Sequence, residues 1–150
     1  MASRFRLDRV LDHKRQLEQE RQRDLQSVTA EERRLLEELG ALQQREREHM
    51  EAISNRTRQG GVDSEQLQAA LAYIDTITRA IERQERLLRE CSERVSSGRQ
   101  ALVAALQEKQ SLEMLKRKQQ EAERLESNRE EAKRNDDMTT NRYARRRREV

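Results

Sequence analysis

The chain contains no proline, and its aliphatic residues fall into two heptad tracts separated by one glycine pair, Gly60-Gly61. Steps of four and three from Leu7 reach Leu11, Lys14, Glu18, Arg21, Leu25, Val28, Glu32, Leu35, Leu39, Leu42, Glu46, His49 and Ile53. The same stepping in the second tract gives Leu67, Leu71, Ile74, Thr78, Ile81, Glu85, Leu88, Ser92, Val95, Arg99, Leu102 and Leu106. A repeat of about 3.5 residues keeps one narrow apolar seam on each helix turned toward a partner. The pattern therefore predicts an all-α fold, a long two-helix antiparallel coiled-coil hairpin with an overhanging C-terminal helix.

Composition supports helix and argues against an enzyme. Charged residues make up 41% of the chain and aromatics 2%, the latter being Phe5, Tyr73 and Tyr143. Once a seam is filled, too few large apolar side chains remain to enclose a ligand pocket. High charge alone also describes disordered chains, but here strong helix formers dominate and the apolar residues are periodic, which favours helix. The net charge of +3 comes from 32 basic and 29 acidic residues of interspersed sign, the pattern of a solvated helix surface.

The spacing predicts a single domain over 1–150, with a helix at about 5–56, a turn at about 57–63 and a second helix at about 64–145. Glycine readily takes the left-handed conformation that closes a helix, and Asp63 or Ser64 can cap the next one. Gly40 and Gly98 each cost about 1 kcal/mol relative to alanine, too little to break a helix held by packing. With the fold-back between Gly60 and Gly61, residue i faces residue 121 − i, so Leu7 lies near Met114 and Leu42 near Arg79. After Leu106 the second seam is expected to slip in phase, with Leu112 and Leu115 in a shifted register. Beyond Lys116 the second helix has no partner from its own chain. That segment is either a single exposed helix or one ordered by a partner. Pairs such as Glu130 with Arg134 support helix there by a few tenths of a kcal/mol each.

No catalytic constellation is visible. There is no phosphate loop of the form G-x-x-x-x-G-K-[ST]. His13 and His49 have no second ligand at a metal-binding spacing, and Glu31-Glu32, Glu37-Glu38 and Glu130-Glu131 lie on helix surfaces as solvated charge. The reading is no catalytic residue, no metal and no cofactor. Cys91 cannot form an intrachain disulfide and reads as a small residue flanking the seam, the alternative being a reactive thiol. Polar residues interrupt the first seam at Lys14, Glu18 and Arg21 and again at Glu46 and His49. These either control register or form a partner-contacting face.

The most basic stretch is the carboxyl end at about 133–150, with Arg142 and Arg145, Arg146, Arg147 and Arg148 around Tyr143. Four consecutive arginines suit nucleic acid, an acidic membrane or an acidic protein surface. The absence of interleaved aromatics disfavours base stacking, so an acidic protein is expected and nucleic acid is not. The start is charged at once, without a secretory signal, and the longest aliphatic run, Ala101-Leu102-Val103-Ala104-Ala105-Leu106, is too short to span a bilayer. A cytoplasmic protein is expected.

The opening Phe5-Arg6-Leu7-Asp8-Arg9-Val10-Leu11-Asp12, the segment Tyr73-Ile74-Asp75-Thr76-Ile77-Thr78-Arg79-Ala80-Ile81, and the ending resemble the FliJ family of flagellar type III export. In that ending Lys109, Leu112, Leu115 and Lys116 precede a Glu/Arg-rich stretch closed by Asp136-Asp137-Met138 and Tyr143-Ala144-Arg145-Arg146. The resemblance covers essentially the whole chain and rests on length, hairpin position, overhang and basic end together.

It implies a non-enzymatic stalk, similar to the two-helix stalk of the rotary ATPase gamma subunit. Such a stalk binds the hexameric export ATPase, contacts the export gate membrane protein and helps cycle export chaperones at the cytoplasmic side of the inner membrane. By the same resemblance Tyr73, Ile77, Ala80 and Gln84 match the gate-facing stripe. The opposing stripe near Leu39, Gln43, Glu46 and Met50 lacks the family's occasional aromatics. Arg142, Tyr143 and Arg145 to Arg148 would meet the ATPase. The free chain is expected to be a monomer. Alternatives are the stalk of a virulence type III secretion system, a dimeric coiled-coil scaffold, which the glycine pair disfavours, and an arginine-tail nucleic-acid binder.

Overall fold

The computed structural model describes residues 5–61 and 63–149. Two long helices packed against each other make the fold, and no strand occurs among the described residues. Helix α1 runs over Asp8–Arg58 (51 residues) and α2 over Ser64–Arg148 (85 residues). The expected all-α hairpin is the observed one. Helix α1 begins three residues later than expected. The Asp8 amide donates to the Phe5 carbonyl at 3.1 Å in a tight turn, and the Leu11 amide then opens the helical ladder on Leu7 at 2.8 Å. Asp8 sits in the first turn, where the partial positive charge of the helix start favours a carboxylate.

The turn follows from Gly60, whose φ of 70° lies in the left-handed region that glycine enters without steric cost. Its amide donates to the Thr57 carbonyl at 3.2 Å and that of Gln59 to Asn55 at 3.2 Å, satisfying carbonyls left over at the end of α1. Asp63 precedes the first residue of α2, and its carbonyl accepts from the Leu67 amide at 3.0 Å.

The chain divides into two compact units, Gln19–Val103 and Met1–Glu18 with Ala104–Val150. Within the first, Leu39, Ile77 and Ile81 form a buried cluster against Leu42 and Leu88. Full burial of such aliphatic side chains contributes about 1.5–3 kcal/mol each. Leu35, Ile74, Cys91 and Val95 continue the seam. The Gln84 amide crosses to α1, donating to the Leu35 carbonyl at 3.2 Å and to Glu38 at 2.9 Å. The expected pairing rule holds closely here: Tyr73 meets His49 and Cys91 meets Val28.

In the second unit Leu11 is fully buried and Ala105 nearly so. Polar residues at seam positions are paired across the helices. Lys14 meets Glu108 at 2.6 Å, Lys109 meets Glu18 at 2.7 Å, and Lys116 meets Asp8 at 3.0 Å. Lys14 and Glu18 thus act inside the hairpin, where they favour one register. Ion pairs that stay in contact with solvent, as these partly covered ones do, contribute about 0–1 kcal/mol each.

The seam of α2 differs from expectation. Leu67, Ile74, Ile81, Leu88, Val95 and Leu102 do face α1, but the intervening positions are Ala70, Ile77, Gln84, Cys91, Gly98 and Ala105. Leu71, Ser92 and Arg99 are exposed instead, while Thr78, Glu85 and Leu106 are half-buried on the flank. The expected phase slip is also absent. The covered row continues through Lys109, Leu112, Lys116, Gln119 and Glu123, and Leu115 is exposed. The physical cause is close approach. A Cβ on Gly98 would lie 3.4 Å from Cδ1 of Leu25, and the Cys91 thiol reaches the Val28 carbonyl at 3.6 Å. Small residues on α2 accommodate the large ones of α1, so Cys91 lies in the seam and not beside it. From residue 124 to residue 149 every side chain of the chain is exposed, and α2 continues as a helix to Arg148.

Candidate partner-binding surfaces

Two surfaces stand out, one in each unit. In Gln19–Val103, the four residues matched to a gate-facing stripe separate into two rows. Tyr73 is 44% exposed on the flank of α2, its ring meeting that of His49 edge-on at 4.5 Å and 66°. Edge-to-face packing of this kind holds an aromatic side chain in place while leaving its outer face open. Ala80, seven residues on, lies on the same flank and is half-buried.

Ile77, 4% exposed, and Gln84, 9% exposed, belong to the seam, so their side chains are turned toward α1. Leu87 takes the next flanking position and is exposed, giving a row of Tyr73, Ala80 and Leu87. The stripe matched by resemblance does not include Leu87, for which the sequence signal is its seven-residue spacing from Ala80. Of the opposing stripe on α1, Gln43 and Met50 are exposed, whereas Leu39 is buried and Glu46 half-buried. Nearby polar contacts fix the flank, with Arg94 bound to Glu31 at 3.0 Å. That hydrogen bond and the Glu31 charge raise the Arg94 pKa above its ordinary value.

The second surface is the end of α2. Arg145, Arg146, Arg147 and Arg148 occupy its last turn, where cations complement the partial negative charge of the helix terminus. Arg142 and these four arginines form no ion pair with any described residue. Tyr143 beside them is 68% exposed. All six sequence-selected residues therefore lie on open helix, around the full circumference and not on one face.

Among the described residues there is no group of acidic, histidine or cysteine side chains that could hold a metal ion. Nor is any helix there long and apolar enough to cross a membrane. What these surfaces offer is contact area and charge.

A family model described as the flagellar FliJ protein matches residues 3–148. The chain belongs to the FliJ family. It is thereby a component of flagellar type III protein export. No curated protein and no solved structure matches it. The match spans the residues of both surfaces, from the start of α1 to the last arginine of α2.

Proposed function

We propose that this FliJ-family chain is a non-enzymatic stalk of the export apparatus, engaging the hexameric export ATPase through the free end of α2. The observation that carries this reading is the end of α2, exposed on every side from residue 124 and closing on arginines 145–148, which pair with no described residue. From residue 124 onward no described residue covers this helix, and its end offers dense positive charge. An acidic channel supplies both the charge complement and the missing contacts. The Tyr73, Ala80 and Leu87 flank is the surface for the export gate, with Ile77 and Gln84 supporting it from the seam. The protein assists export chaperones as a peripheral partner of the membrane-embedded machinery on its cytoplasmic side. The virulence-system alternative gains no support from a match to the flagellar family.

The test is stimulation of the cognate export ATPase by full-length protein and by a chain truncated after Lys133. Truncation is expected to leave the two seams folded, with unchanged melting, and to abolish stimulation, while salt weakens binding of the intact chain. Full stimulation by the truncated chain would return the functional surface to the paired helices.

A further inference from the structure

The exposed part of α2 has a charge pattern that the stalk reading leaves unexplained. Between residues 121 and 131 it carries five acidic side chains against two arginines, and between 142 and 149 five arginines against one glutamate. Apart from Glu149, which follows the last residue of α2, the two blocks lie on one continuous helix, and both are exposed except at Glu123. Leu125, 56% exposed, and Tyr143 are eighteen residues apart, five full turns at about 3.6 residues per turn, so they share one face. Ala132 lies between them within about 20° of that face, and Arg129 and Asp136 border it.

We propose that this face is a self-association surface, and that its occupant is the same face of a second copy running antiparallel. A two-fold axis near residue 134 sets Leu125 of one copy on Tyr143 of the other. It brings Arg129 diagonally onto Asp136 and Glu121 onto Arg147, each contact occurring twice as isologous symmetry requires. A parallel pairing sets Arg147 against Arg147 and glutamate against glutamate, so charge alone selects the antiparallel arrangement. The overlap covers about 40 Å of helix, and its apolar part is small, which makes the dimer weak and salt-sensitive. The hairpin itself stays intrachain. Because Arg147 serves both, pairing of two copies competes with any acidic partner at the same helix end.

The experiment is sedimentation velocity of the full chain, without any ATPase, so its outcome is independent of the stalk reading. Wild type is expected to shift toward dimer as concentration rises at low salt, and to return to monomer in 0.5 M salt. Arg147→Glu and Glu121→Arg, each alone, place like charges at both symmetric contacts and are expected to weaken association about tenfold. Mixing the two variants restores opposite charges at both contacts and should return association to within about threefold of wild type. Circular dichroism confirms that each variant keeps its helix. A wild type that stays monomeric at every concentration, or a mixture no better than its components, overturns the proposal.

Discussion

Replacing Gln84 separates a seam residue from a partner-binding one. The side chain is buried and donates to the Leu35 carbonyl at 3.2 Å and to Glu38 at 2.9 Å. In Gln84→Ala both bonds vanish, each worth about 1 kcal/mol net. Neither acceptor is left stranded. The Leu35 carbonyl lies within α1, where the helical ladder supplies a donor, and the half-exposed Glu38 carboxylate rehydrates. The expected loss is therefore about 2 kcal/mol, which for a chain of this size lowers the melting temperature by roughly 4–8 °C. Gln84→Leu loses the same bonds but buries an aliphatic side chain worth about 1.5–3 kcal/mol, so its stability should stay within about 1 kcal/mol of wild type. Urea denaturation followed by circular dichroism measures both. Equal losses for Ala and Leu would show that the hydrogen bonds, and not the filled volume, hold the site. A Gln84→Ala protein that melts as wild type but no longer binds the gate protein would refute the seam assignment altogether.

Three further outcomes follow from the packing and the turn. Gly98→Ala should stabilise the protein by about 0.5–1 kcal/mol, because helix propensity improves and the new Cβ meets Leu25 at an ordinary contact distance of 3.4 Å. Gly60→Ala should destabilise by roughly 1 kcal/mol, since its φ of 70° is strained for any residue with a Cβ; thermal melts read both signs. Leu11→Ala, at a fully buried position, should cost about 2–4 kcal/mol in urea denaturation, and a loss under 1 kcal/mol would place that side chain outside the core.

The first helix was legible because its seam is built from large side chains. Every position stepped from Leu7 to Ile53 is at least half-buried except Arg21. The second helix was legible only at every other seam position. At the alternate ones the covered residues other than Ile77 are Ala70, Gln84, Cys91, Gly98 and Ala105, none of them a large aliphatic, while Leu71 and Leu106 sit one residue away and are. A rule that scores hydrophobicity chooses the leucines. The structure chooses the small residues, because a leucine-rich helix packs closest against a surface that yields room. That single misplacement also produced the spurious slip after Leu106, since a true row and a false row were being followed together.

The stripe of Tyr73, Ile77, Ala80 and Gln84 comes from the family resemblance and not from the seam pattern. Ile77 and Gln84 are buried in the seam, which leaves Tyr73, Ala80 and Leu87 as the row on the open flank. Flanking positions of a two-helix coiled coil are ordinarily charged. Aliphatic and aromatic side chains there leave apolar surface that the hairpin does not cover, and the Tyr73 ring is held on His49 instead of folding over the seam. The end of α2 needed no such choice, because exposure on every side makes phase irrelevant to its arginines. The proposed contacts thus lie on residues that the seam leaves uncovered, and the small residues that set how α2 is turned decide which those are.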